Sequence, residues 1–286
     1  MQESSHPSPT AAGRDGIVLR PLASLDDFEE AVRLQDEIWG AGFSDRVPAA
    51  ILRVAQKVGG VSAGAFAETG RMLGFVFGLT GIRDGRLVHW SDMLAVREEA
   101  RGHHLGDRLK HYQRNVVRAL GVTRMLWTFD PLVARNAHFN LNRLGVGIAE
   151  YVPNFYGANT GSILHGALPT DRFVADWELD TEAQPGRDTS GQPDTHDLIP
   201  VTTVVEGGHV RTIDPLPAAP RVRVPIPVDL EATLGRSADE ALAWRLATRT
   251  AIMHYLAAGY RVSAFHRGTD RELPAYELSS SSTTHA

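Results

Sequence analysis

Arg101-Gly102-His103-His104-Leu105-Gly106 has the residue types and spacing of an anion-binding turn. It follows an apolar stretch, Met93 to Val96, and a polar turn, Arg97 to Ala100, and it opens a helical pattern that runs to about Leu120. The first N–H groups of a helix have no internal acceptor, and the helix dipole adds partial positive charge there. A diphosphate suits that position. Gly102 and Gly106 let the backbone approach the oxygens without an intervening Cβ, and Arg101 adds a charged donor. His103 and His104 have no third ligand at helical spacing, so they read as phosphate or solvent contacts and no metal is expected.

Other residues could act on a substrate. In simple strand alternation Asp92 shares a face with Trp90 and Leu94, a setting that would bury its carboxylate, raise its pKa and suit a general base. A strand-end cap or a partner for an arginine is the equal alternative. His89 falls on the opposite face and reads as structural or exposed. Asp130, at a strand end, could hold a substrate ammonium or cap the next helix. Asn136, Asn140 and Arg143 recur on one face of that helix at i, i+4, i+7 spacing. With Asn142 they make a short helix rich in poor helix formers, which favours a polar ligand face. Arg135 and Arg172 are candidates for a carboxylate on the acyl group or the acceptor, weighed against ordinary solvated arginines.

The elements that position these groups read as an α/β chain. With 286 residues, 43% apolar and 22% charged, it has the length of one large or two small globular domains. A net charge of −5 without a long basic run gives no indication of nucleic acid. The absence of cysteine excludes disulfides, thiolate metal sites and a cysteine nucleophile. No stretch is apolar and long enough to span a membrane, and the polar N-terminus has no signal-peptide core, so a cytoplasmic location is expected.

Residues 1–15 read as a disordered tail. Then come a strand at Gly16–Leu22, a helix opened by Ser24 and running to about Trp39, and a second helix opened by Pro48. Strands follow at Gly60–Ala67, Met72–Thr80 and Leu87–Val96. After the central helix come a strand at Arg124–Asp130, a helix at Ala134–Leu144 stopped by Gly145, and strands from Gly147 and from Asp171. Residues 181–198 read as a linker. Residues 199–286 read as an accessory strand–helix–strand–strand unit, with Val222–Val228 a Pro-interrupted edge strand and a long helix capped by Ser237.

The loop and this element order together resemble the GNAT superfamily of N-acyltransferases over about Gly16 to Leu179. The family's loop signature is Arg/Gln-x-x-Gly-x-Gly/Ala after a strand ending apolar-Ala-Val; here Leu94-Ala95-Val96 precedes it, Arg101 and Gly106 match, and His104 replaces the middle glycine. Phe129-Asp130-Pro131-Leu132 and the segment Arg135 to Gly145 resemble a subgroup of predicted acetyltransferases, some of whose members are thought to use succinyl-CoA with amino acids. The resemblance implies the GNAT fold over residues 16–180: a central mixed, mostly antiparallel sheet flanked by helices. It also implies acetyl-CoA or another acyl-CoA, with succinyl-CoA among the candidates, as donor, and a small-molecule amine as acceptor. The thioester and pantetheine would lie along Met93, Leu94, Ala95 and Val96; the diphosphate would sit at Arg101 to Gly106; Asn136 and Asn140 would face the donor. Asp92 stands where many relatives carry a base. Leu141 stands where many relatives carry the tyrosine that protonates the leaving thiolate, so Tyr156, or Tyr151, takes over that role. The accessory unit could be a degenerate half-GNAT repeat, and a homodimer is compatible with the apolar strand edges. The competing reading is a non-catalytic CoA-binding or regulatory module. A dinucleotide enzyme is disfavoured by the antiparallel strands before the loop and the lack of an early Gly-x-Gly.

Overall fold

A computed structural model of the chain describes residues 11–12, 15–100, 102–157, 168–180, 198–205 and 209–280. The described residues fall into two compact units. The first comprises those of Met1–Trp127 and Glu178–Glu182, the second those of Thr128–Thr160, Leu164–Trp177 and Ala183–Ala286. These units are cut along other lines than the expected domains, whose boundary at 181–198 lies almost wholly outside the described residues.

The first unit contains β1 (Ala11–Ala12), β2 (Val18–Pro21), α1 (Leu25–Trp39), α2 (Ala49–Lys57), β3 (Val61–Phe66), β4 (Met72–Arg83), β5 (Arg86–Val96), a 3₁₀ turn (Glu98–Ala100) and α3 (Leu105–Ala119). β6 (Arg124–Phe129) begins in it and runs on into the second. Its strands are ordered β1-β2-β3-β4-β5-β6. All neighbours are antiparallel except β5 and β6, which are parallel. This is the mixed, mostly antiparallel sheet flanked by helices that the sequence led us to expect. Ser24 opens α1 with a capping box: its hydroxyl accepts from the Asp27 N–H at 3.1 Å and the Asp27 carboxylate accepts from the Ser24 N–H at 3.3 Å. Phe28 and Leu34 of α1, Leu52 of α2, and Phe75 and Phe77 of β4 then share one buried cluster. The expected N-terminal tail is partly structured, because Ala11–Ala12 pairs with Val18 and Leu19, and Asp15 accepts from Arg108 at 2.7 Å.

The second unit contains α4 (Ala134–Ala137), which passes without a break into a π-helix at His138–Arg143, then β7 (Gly147–Val152) and β8 (Arg172–Glu178) as an antiparallel pair. β9 (Ile199–Pro200) is followed by an antiparallel pair, β10 (Thr202–Val205) and β11 (His209–Thr212). β12 (Arg221–Pro225), α5 (Leu230–Arg236), α6 (Ala238–Ala257), β13 (Tyr260–His266) and β14 (Ala275–Ser280) complete it. Ser237 caps α6 as expected, accepting from the Glu240 N–H at 3.1 Å. The sheet order is β13-β14-β12-β9. β12 is therefore an inner strand, not the expected edge. Its proline, Pro225, is the last residue, so the missing N–H falls where the strand ends, and β9 covers only Val222 and Arg223. Arg245 and Arg249 on α6 reach Asp130 and Asp171, and Tyr276 on β14 donates to the Pro131 carbonyl at 2.8 Å. These contacts explain why Asp130, Pro131 and Asp171 share a compact unit with the C-terminal segment. Among the described residues no helix is long and apolar enough to cross a membrane.

Candidate functional site

In the first unit the β4–β5 hairpin carries a defect. Phe77 pairs with Met93 but the next residue, Gly78, pairs with Ser91, which leaves Asp92 as the extra residue of a β-bulge. Parallel pairing with β6 reaches only from Val88 to Trp90. Among the described residues Met93, Leu94, Ala95 and Val96 pair with β4 alone. Their backbone groups on the other side are placed to pair with an extended ligand, as an added strand would.

The chain then turns into the helix. Arg101 lies outside the described residues. Gly102 has φ +91° and open space where a Cβ would stand, so its backbone conformation and not crowding calls for glycine. His104, the N-cap of α3, is left-handed at φ +54°. That is the conformation a glycine takes freely, so a histidine there carries local strain. Leu105 is buried and anchors the turn, Gly106 is half-buried, and His103 and His104 are exposed. Arg108, one turn further on, is held by Asp15 and by the Ile17 carbonyl at 2.9 Å. The first N–H groups of α3 thus point out of an exposed turn directly after the open strand edge.

Asp92 differs from expectation. The bulge turns it outward and it is exposed, not buried between Trp90 and Leu94. The protein around it still desolvates the carboxylate enough to raise its pKa; a hydrogen bond from the Trp90 side chain opposes this and the charge of Asp45 adds to it. His89 is structural: it is fully buried, and burial first, then the charge of Lys110, lowers its pKa to about 3.

The remaining candidates lie in the second unit. Asp130 is not available to a substrate ammonium. Both its oxygens accept from Arg245, at 2.9 and 2.6 Å, and one also accepts from the Leu132 N–H at 2.8 Å, within the turn; the next helix has Val133 at its N-cap with no side-chain bond, so Asp130 does not cap it either. Burial would raise this carboxyl, but the Arg245 and Arg172 guanidinium groups hold it below its ordinary value. Arg172 is buried, donates to the Asp171 carbonyl at 2.8 Å and lies 3.5 Å from Asp130; Arg135 is exposed. The expected face Asn136–Asn140–Arg143 is broken by the π-helix, whose wider turn buries Asn140 and Asn142 and leaves Arg143 exposed. Asn142 donates to the Phe265 carbonyl at 3.0 Å, and Asn136 is half-buried in the first turn of α4. Tyr151 donates to Asp171 at 2.5 Å, and burial with this bond pushes its pKa far up. Tyr156 is half-buried and shares a 2.8 Å hydrogen bond with the Thr128 hydroxyl.

Sequence reasoning missed Lys110, Gln113, Arg245 and Arg249. The first two carried a legible signal, being polar residues at i, i+3 on the same side of α3 as Leu109 and Tyr112. Among the described residues no group of three or more histidine or carboxylate side chains could hold a metal ion.

No protein-family model matches this sequence, and no curated protein matches it. Solved structures do. Ard1 from Thermoplasma volcanium is 16% identical, with 57% of this chain and 97% of that one covered at a TM-score of 0.44. An acetyltransferase of the GNAT family from Streptococcus pneumoniae is 15% identical, with 57% and 99% covered at a TM-score of 0.45. Arabidopsis thaliana Naa50, solved with a bisubstrate analogue, is 13% identical over 57% and 99%, also at a TM-score of 0.45.

Proposed function

We propose that this chain transfers an acyl group, acetyl or succinyl, from coenzyme A to the amine of a small molecule such as an amino acid. The observation that supports this reading is the continuity of the bulged strand, its open edge at Met93–Val96, the left-handed loop and the start of α3 within one compact unit. An extended pantetheine fits the open edge, and a diphosphate fits the loop from Gly102 to Gly106.

In the reaction the neutral amine attacks the thioester carbonyl carbon. The N–C bond forms, the C–S bond breaks, and the amine gives up a proton. Asp92, exposed and with a raised pKa, is our candidate for taking that proton, through a water where reach requires it. The departing thiolate is acidic enough as a thiol to leave without a protein acid. Positioning of donor and acceptor supplies much of the rate. A second reading, a CoA-binding module without turnover, is favoured by Leu141 in the family's tyrosine position.

A thermal-shift panel with acetyl-CoA, succinyl-CoA, free CoA and NADH tests the proposal. A ligand that binds only the folded chain adds about 2.7 kcal/mol at a hundredfold excess over its Kd. A shift with an acyl-CoA and none with NADH is expected, as is loss of that shift in Gly106→Trp, which blocks backbone approach to the diphosphate. Absence of any CoA shift overturns the proposal; a CoA shift without turnover across an amine screen selects the second reading.

A further inference from the structure

Beneath the bulge runs a buried polar chain that neither the loop nor the strand edge explains. The Thr80 hydroxyl donates to the Gly59 carbonyl at 2.6 Å and sits 2.9 Å from His89 Nδ1. With its own proton committed to Gly59, Thr80 accepts from His89, which places the imidazole proton on Nδ1. His89 Nε2 is then the acceptor for the Gln113 amide at 2.9 Å. That orientation turns Gln113 Oε1 toward Ser91, whose hydroxyl donates to it at 2.7 Å. The Ser91 oxygen in turn accepts from Lys110 Nζ at 2.8 Å. Lys110 Nζ also lies 3.8 Å above the Trp127 ring. Every hydrogen bond in the series therefore has one direction, set by a single backbone carbonyl.

His89, Ser91, Lys110 and Gln113 are all buried. Gly78, opposite Ser91, makes the room: a Cβ there would run into His89, the Trp90 carbonyl and the Gln113 amide. The chain links two elements by name. Ser91 immediately precedes the bulged Asp92 on β5, while Lys110 and Gln113 lie on α3, whose first residues form the loop. A buried hydrogen-bonded series of this kind adds little stability over apolar side chains of the same shape. It adds direction and register, which an apolar contact lacks.

We propose that Lys110 and Gln113 are positioning residues that, through Ser91 and His89, set the spacing between the open edge of β5 and the N-terminus of α3. That spacing determines whether one acyl-CoA can lay its pantetheine on the strand and its diphosphate on the helix at the same time. The inference rests on the acyl-CoA reading above. It assigns to the relay the joint use of the two half-sites and leaves each half-site intact without it.

The test uses the full chain, Lys110→Met and Gln113→Leu, with two probes: ADP for the helix terminus alone and acetyl-CoA for both half-sites. Both variants are expected to bind ADP as the parent does and to lose acetyl-CoA affinity by about tenfold or more, since two half-sites out of register cannot be engaged together by one ligand. Lys110→Met is also expected to melt no lower than the parent, so the loss separates from stability. Unchanged acetyl-CoA affinity in a folded variant overturns the relay, and so does an equal loss for both probes. A parent chain that binds neither probe overturns the acyl-CoA reading instead. Should Gln113→Leu fail to fold, Lys110→Met alone decides.

Discussion

The two units differ in the polar chemistry they bury, although Arg97 of the first also pairs with Glu30 and Glu37, at 2.7 and 2.9 Å. In the first, the series Thr80–His89–Gln113–Ser91–Lys110 holds no carboxylate and its histidine is neutral. In the second, carboxylates are matched to arginines: Asp130 with Arg245, Asp171 with Arg249 at 2.6 and 2.8 Å, and Glu277 with Arg221 and His266. The second arrangement ties together segments far apart in the chain, because Arg245 and Arg249 lie on α6 while their partners flank β6 and β8. The first arrangement lies beneath a strand that keeps one edge open. Carboxylate–arginine pairing thus closes the second unit over long range, and a directional series without a carboxylate lies next to the open strand edge of the first.

The largest effect that would test this contrast is in the second unit. Arg245→Ala leaves Asp130 buried without its main partner and is expected to cost about 3–5 kcal/mol in urea unfolding. A cost below about 1 kcal/mol would mean that Arg172 alone compensates Asp130 and that α6 is not held by charge. In the first unit, Gly78→Ala forces a methyl against His89 and Gln113, and a loss of about 1–3 kcal/mol is expected from overpacking. Full stability in that variant would show that the relay has slack.

The pH dependence bears on both units. His89 is held near pKa 3 in the fold, against an ordinary 6.5, and Glu277 near 2, against an ordinary 4.5. Burial would raise Glu277, but hydrogen bonds from His266 and Arg221 outweigh it. Both values are depressed, so the unfolded chain takes up the proton first and stability falls with pH in each case. The His89 contribution is present above pH 6.5 and is lost down to 3; that of Glu277 is present above 4.5 and is lost down to 2. Between about pH 7.5 and about pH 5 the first unit should therefore lose the His89 contribution; in the second unit His138, lowered by burial and by the charges of Arg267 and Arg143, acts in the same direction. His89→Gln should flatten the slope of stability in that range, measured by urea midpoints. An unchanged slope would place the acid sensitivity elsewhere. The smallest effect is expected at the loop, where His104→Gly removes the left-handed strain and should add about 1 kcal/mol of stability with acyl-CoA binding retained. A melting temperature that falls would show that the imidazole makes a contact that outweighs the strain.

Much of the fold was legible in the amino-acid pattern because its signals are local. Ser24 and Ser237 marked helix starts, Gly145 a stop, and the apolar runs at Met72 and Leu87 marked the central hairpin, since capping and strand periodicity act over a few residues. The order of elements and the turn from Val96 into α3 followed from the same signals. What sequence could not supply depended on register or on distant partners. A one-residue bulge turned Asp92 outward where alternation had placed it inside, and a π-helix moved Asn140 inward and Arg143 outward, since each changes facing without changing composition. Asp130 read as either a substrate ligand or a helix cap, and Arg245, 115 positions along the chain, takes both its oxygens. The residue types and their local spacing determined the elements and the loop. The tertiary structure decided which polar side chains were already spoken for, because a charge or hydrogen bond is satisfied by whatever comes near it in space.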